Sequence, residues 1–284
     1  MRQSIPKPAS SRRCGRAGGR RTVLGALIAG FCLLFAGVAP AGAQEITYTA
    51  LGDSLAWGAF APIGQGYVPL YRSYVAQDTG RSVFLYNLGA PGWSTTDLRY
   101  ALERRLLFQL LVWKSEVVTV NIGGNDLRAA RSSYKNQTCG GADNQDCLRA
   151  AVATFRQNWD AIIGRILWLR GSRPTIIRTL DIYNPYIGED QVSDTWIESP
   201  TNLDDLAVLK PYLDSVNAYI AGTTARFGRP IPNAPVYESF NGPSGLENPR
   251  DLGLISFDGF HANRAGHALM ASLLRALGYG LSLP

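Results

Sequence analysis

The feature that most constrains this chain is a repeated alternation of short apolar runs with longer amphipathic stretches. Ile46–Leu51, Val83–Leu88, Val117–Ile122, Thr175–Leu180 and Pro235–Ser239 are short, rich in β-branched or aromatic residues, and bounded by Gly, Pro, Asn or Asp. That pattern predicts strands, and their near-continuous apolar character predicts burial on both faces. Between them, Tyr67–Gln77, Thr96–Leu111, Arg149–Leu169, Leu206–Phe227 and Asn263–Leu277 carry apolar residues three and four apart, the spacing of one helix face. Asp204-Asp205 and Asn263 suit helix starts, and Gly228 and Gly278 suit helix stops. Repeated strand–helix units place the chain in the α/β class, with a parallel sheet covered by helices on both sides. Arg131–Asp146 and Tyr183–Asn202 show no such period and are expected as long loops, which often serve as lids or rims.

The first 43 residues read differently, as a targeting segment ahead of a single domain spanning 44–284. Five arginines between positions 12 and 21 precede an apolar run from Val23 to Val38 and the small residues Ala41-Gly42-Ala43. This is the order of a signal peptide cleaved after Ala43, with the mature chain starting at Gln44 in a secreted or periplasmic location. Arg20-Arg21 leaves Sec and twin-arginine export both open. An uncleaved anchor is the alternative, but the apolar run falls short of the ~20 residues a membrane span needs.

Removing that segment changes the charge argument. The whole chain is +6, with 28 basic and 22 acidic residues. Seven basic and no acidic residues lie before position 44, so the remainder is close to neutral, at −1. No basic excess is left for a nucleic-acid footprint. Two of the four cysteines, Cys14 and Cys32, belong to the targeting segment. Cys139 and Cys147 remain, eight positions apart, and in an oxidising compartment are expected to form a disulfide. With two histidines in the whole chain and no CxxC pair, a metal site is not expected.

Four short blocks sit where an open parallel sheet binds its ligands, beyond the carboxyl ends of strands. Gly52-Asp53-Ser54-Leu55 follows the first run, where a serine hydroxyl projects from a tight turn or simply caps a helix. Asn87–Gly92 follows the second, with glycines for close backbone approach or for a turn. Gly123-Gly124-Asn125-Asp126 follows the third, where an asparagine amide either serves an oxyanion or forms an Asx turn. Asp258-Gly259-Phe260-His261 precedes the last helix, with a carboxylate spaced to orient an imidazole. His267, inside the predicted helix, suits packing.

Taken in series, Gly-Asp-Ser-Leu, Asn-x-Gly-x-x-Gly, Gly-Gly-Asn-Asp and Asp-x-x-His resemble the blocks of the SGNH (GDSL-type) hydrolases, from Thr49 to about Gly266. The resemblance implies a flavodoxin-like three-layer α/β/α sandwich with a five-stranded parallel sheet, no cofactor and no metal, and cleavage of esters of lipids, sugars or small acyl groups. Carried over by position, Ser54 is the nucleophile, His261 its general base and Asp258 the residue orienting His261. The N–H groups of Ser54 and Gly92 and the side chain of Asn125 form the oxyanion hole, with Gly89 an alternative to Gly92. Asp53 and Asp126 are expected to bond nearby loop backbone. Trp93 departs from the small or polar residue common after Gly92 and is expected to shape an acyl pocket. Trp57, Phe60, Trp196, Tyr183 and Tyr186 are further aromatic candidates for that pocket or for stacking on sugar rings.

The expected function is therefore an exported, lysophospholipase-like esterase acting on short or medium acyl esters or lysophospholipids. An O-acetyl carbohydrate or cell-wall acetylesterase, and a non-catalytic glycan- or lipid-binding protein on the same fold, stand as alternatives. Partners are limited to the small-molecule ester, lipid or acylated sugar. No nucleic acid and no stable membrane span after processing are expected, and the oligomeric state is open. The absence of Gly-x-Ser-x-Gly around Ser54 argues against an ordinary α/β-hydrolase.

Overall fold

The computed structural model describes residues 45–195 and 204–280. The targeting segment, its cleavage position after Ala43, Cys14, Cys32 and Trp196 lie outside the described residues.

The chain runs β1 (Ile46–Gly52), α1 (Ser54–Trp57), α2 (Tyr67–Thr79), β2 (Val83–Gly89), α3 (Thr95–Arg104), α4 (Leu106–Lys114), β3 (Val117–Asn121) and α5 (Gly124–Lys135). It continues through α6 (Asp146–Arg170), β4 (Ile176–Leu180), α7 (Ile187–Asp190), α8 (Asp205–Ala221), α9 (Thr223–Phe227), β5 (Asn233–Ala234), α10 (Val236–Asn241) and α11 (Arg264–Ala276). The five strands form one parallel sheet in the order β2-β1-β3-β4-β5.

Alternating strand residues feed two cores, one on each face. Ile46, Tyr48 and Ala50 of β1 join Val117, Ile176 and Leu180 against α2 and α11, while Leu51, Val118, Val120 and Ile177 pack against α3, α4, α6 and α8. This is the three-layer α/β/α arrangement. The helix starts are chemically explicit. Ser94 caps α3 in a capping box with Asp97, Asp204 accepts from the Ala207 N–H, and Asn263 accepts from the N–H groups of Ala265 and Gly266.

Four expectations need correction. Pro235–Ser239 is not a strand: β5 is only Asn233–Ala234, and Pro235 opens the turn into α10. A proline lacks the N–H a ladder needs, which suits it to a helix start. Thr96–Leu111 is two helices, parted where Arg105 turns extended. Leu206–Phe227 is likewise two, parted at Gly222. Neither long loop is wholly irregular: α5 runs to Lys135 within Arg131–Asp146, and α7 lies within Tyr183–Asn202, of which 196–202 fall outside the described residues. The loop that follows α5 is closed by a Cys139–Cys147 disulfide. Among the described residues, no helix is long and apolar enough to cross a membrane.

Candidate active site

The sheet order reverses between β1 and β3, and the register aligns their ends: Gly52 of β1 pairs with both Gly89 of β2 and Asn121 of β3. The three blocks that follow these strands therefore leave the sheet at one level, beside the crevice of the topological switch point. Two glycines are required by close approach. A Cβ on Gly52 would lie 2.2 Å from the Asn121 carbonyl oxygen, and one on Gly89 would lie 2.3 Å from the Trp57 backbone nitrogen.

Ser54 is the first residue of α1, and the capping role falls to Asp53, whose Oδ1 accepts from the Leu55 N–H at 2.9 Å. The serine hydroxyl is left for another partner. That partner is His261: Nε2 lies 2.8 Å from Ser54 Oγ. The other ring nitrogen, Nδ1, lies 2.5 Å from Asp258 Oδ2. Asp258 is itself fixed, with Oδ1 accepting from the N–H groups of Phe260 and His261 at 3.2 and 3.1 Å and from the Ser256 hydroxyl. Burial works against its charge, but these hydrogen bonds outweigh it and hold the carboxyl below its usual range. The charged carboxylate fixes the imidazole with Nδ1 protonated and Nε2 facing the serine.

Asn125, near the start of α5, lines the same cleft. Its Nδ2 donates to the Trp93 carbonyl at 2.9 Å and its Oδ1 accepts from Arg128 at 3.3 Å. An amide nitrogen has two donors, so one N–H remains for a ligand. The bond to Trp93 also anchors the Gly92–Trp93 segment beside Asn125. Gly92 has φ of 82° and its N–H donates to no protein acceptor among the described residues, whereas the Gly89 N–H is taken by Asn87 Oδ1 at 3.0 Å. Of the two glycines, Gly92 is the one with a free donor.

The remaining candidates separate. Asp126 accepts from the Thr95 N–H and hydroxyl, tying α5 to α3. Burial raises its carboxyl despite those bonds. Burial, with Asp126 nearby, pushes the Asp53 carboxyl up to about 7 against the Leu55 bond. His267 is fully buried, accepting from the Tyr67 N–H at Nδ1 and donating to the Ala59 carbonyl from Nε2. Both bonds are satisfied by the neutral ring, and burial lowers its pKa.

A cavity of about 120 Å³ opens at Ser54 and His261 and runs inward between α5, α6 and α8. Its walls are mainly apolar, including Leu127, Leu148, Ile182, Tyr183, Leu209 and Leu213. Tyr183 and Tyr186 line it as the sequence suggests. Trp93 does not: it stacks on Phe108, with the Arg105 guanidinium near both rings. Trp57 is exposed, and Phe60 stacks on the His261 ring at 4.9 Å from an unusual φ of 61°.

Sequence reasoning missed Ser256, whose hydroxyl carries no motif signal. It also missed an ion-pair cluster beside the cavity. Arg131 and Lys135 of α5 both bond Asp190 of α7, and Lys135 reaches Asp205 at the start of α8. Basic residues four apart on a helix, opposite acidic pairs, were the available clue. No group of His, Cys, Asp or Glu among the described residues is arranged to hold a metal ion.

A serine held by an imidazole, with a carboxylate behind it and unpaired N–H donors around it, is suited to acyl transfer. Comparisons with known proteins give the fold and the family. A lipase from goat rumen metagenome shares the fold with a TM-score of 0.67 at 23% identity, covering 84% of this chain and all of that one. The lipase/acylhydrolase from Enterococcus faecalis superposes with a TM-score of 0.52 at 17% identity, over 84% of this chain and 98% of its own. Esterase EstA from Pseudoalteromonas sp., in a structure inhibited by monoethylphosphonate, gives 0.50 at 16% identity, over 81% and 94%. No curated protein sequence matches significantly. The family profile described as GDSL-like Lipase/Acylhydrolase matches residues 48–274. The chain belongs to that family of carboxylic ester hydrolases.

Proposed function

We propose that the chain is an exported serine esterase that cleaves esters of apolar acyl chains through an acyl-enzyme on Ser54. The observation that carries this reading is the relay Ser54 Oγ–His261 Nε2 at 2.8 Å and His261 Nδ1–Asp258 Oδ2 at 2.5 Å, at the mouth of an apolar cavity. Ser54 Oγ attacks the ester carbonyl carbon while its proton passes to His261 Nε2. Asp258 stabilises the imidazolium and holds its orientation. The carbonyl oxygen, now an anion, is received by the N–H groups of Ser54 and Gly92 and the free N–H of Asn125. His261 returns the proton to the departing alkoxide, leaving acyl-Ser54 and an alcohol. Water then gives a proton to His261, attacks the acyl carbon and releases the acid, and the proton goes back to Ser54.

The lining of the cavity supports an acyl chain of several carbons over an acetyl group, because a longer chain buries more apolar surface there. The Cys139–Cys147 disulfide and the basic-then-apolar amino-terminal segment support export. The test is hydrolysis of p-nitrophenyl esters from C2 to C16, beside Ser54→Ala. We expect kcat/KM to rise from C2 to about C8 and turnover to vanish in the variant. Highest activity on acetate would favour the carbohydrate acetylesterase, and undiminished turnover in the variant would remove Ser54 from the chemistry.

A further inference from the structure

A second surface, formed by the outer face of α4 and the end of α6, has its own chemistry. Helix α4 buries Phe108, Leu111 and Val112 but exposes Leu106, Leu107, Leu110 and Trp113 by 48–67%. The exposed residues fall at i, i+1, i+4 and i+7, one face of a helix. Trp168, near the end of α6, is 69% exposed and lines one groove with Trp113. Monomeric proteins rarely leave contiguous apolar side chains of this size in water without a use for them.

The charge around this face says what it fits. Arg104, Arg105 and Lys114 bracket α4 in sequence and Arg165 and Arg173 lie beside Trp168 and Trp113, and none of the five forms an ion pair with a carboxylate among the described residues. Arg165 lies over Trp168 at 4.2 Å and Arg173 over Trp113 at 4.5 Å, so the cations sit directly on the aromatic groups. Between positions 99 and 116 and between 164 and 173 the chain places seven basic and two acidic residues. Beyond position 43 it is otherwise acidic overall, so this end is a local reversal of sign.

We infer that this face docks on an anionic glycerophospholipid bilayer. Leucine and tryptophan side chains enter the headgroup–acyl boundary while the surrounding arginines and lysine meet lipid phosphates, the division of labour of an interfacial amphipathic helix. Each cation near an anionic leaflet strengthens partition roughly fivefold. A second copy of the chain fits less well, because a two-fold interface would bring five unpaired cations against their own copies. A soluble polyanion would use the cations but leave the leucines in water. Trp113 and Arg173 precede β3 and β4, at the amino ends of the strands, while the cleft lies at the carboxyl ends. The Trp113–Trp168 groove is therefore the part of this face that points away from the cleft.

The test uses vesicles of phosphatidylglycerol or phosphatidylcholine, part of either lipid brominated on its acyl chains, with the full chain. We expect binding to phosphatidylglycerol more than tenfold tighter than to phosphatidylcholine. Tryptophan fluorescence should be quenched on binding, with at least half of the quenching lost in the double variant Trp113→Phe/Trp168→Phe. Leu107→Asp/Leu110→Asp should weaken partition more than tenfold and hydrolyse a soluble p-nitrophenyl ester as the parent does. Unchanged quenching in the tryptophan variant would mean that another surface touches lipid, and overturns the inference. So would unchanged partition in the leucine variant. A concentration-dependent dimer abolished by Leu107→Asp/Leu110→Asp would make the face a self-interface instead.

Discussion

At the scale of single residues, the site depends on who bonds whom. Asp53 takes the cap of α1, so Ser54 Oγ stays available to His261. Arg128 and Trp93 fix which way the Asn125 amide points. If the free N–H of that amide meets the oxyanion, Asn125→Ala should fold normally and lose about 10²–10³ in kcat. A fall confined to KM would assign Asn125 to ground-state binding. Asp53 gives a second prediction, about pH. Its carboxyl is raised from 3.8 to about 7 in the folded state by burial. Between those values the folded chain holds a proton that the unfolded chain has lost. Its contribution to stability is thus full below about pH 4 and is lost as pH rises through about 7. Asp53→Asn cannot ionise and keeps an oxygen for the Leu55 N–H. Its melting temperature relative to the parent should therefore rise from pH 5 to pH 8. A constant difference between the two proteins across that range would contradict the assignment.

Among elements, the cavity wall is held by charge as much as by packing. Asp190 of α7 has a side chain only 1% exposed and accepts from both Arg131 and Lys135 of α5. Removing it leaves two partly buried cations with Glu189 and Asp205 as remaining partners. Asp190→Ala should cost about 2–4 kcal/mol of unfolding free energy, measured by urea denaturation, because breaking a buried pair strands its partner. A loss below about 0.5 kcal/mol would show that the remaining carboxylates suffice. The same elements show what the sequence made legible. Strands β1, β3 and β4 announce themselves because each is buried on both faces and rich in β-branched or aromatic residues. Strand β2, at the sheet edge, shares that composition but is only partly buried, against the expectation from its apolar run. The start of α5 does not, because Gly123-Gly124-Asn125-Asp126 reads as a turn and its helical face is polar. Pro235–Ser239 misleads because a run so short, with Val236 and Tyr237, serves a strand or a helix turn equally well. The pairing within the ion-pair cluster was not legible beyond the four-residue spacing of Arg131 and Lys135, since it joins residues 55 to 70 positions apart.

At the scale of the molecule, topology does the assembling. Ser54 and His261 are 207 positions apart and meet because β1 is central and the segment before α11 returns to its carboxyl end. Three of the four motif blocks were legible because each directly follows a strand, and the fourth is marked by its Asp-x-x-His spacing ahead of α11. The cavity's depth, the stacking of Phe60 on His261 and the turning of Trp93 away from the cleft depend on side-chain packing and left no trace in spacing. The most direct measurement of the central claim is fluorophosphonate labelling of the folded protein, followed by mass mapping of the modified peptide. One label per chain is expected, on Ser54, absent in Ser54→Ala and slowed by orders of magnitude in His261→Ala. Ester hydrolysis that continues with Ser54 unlabelled, or a label that forms at full rate without His261, would contradict it.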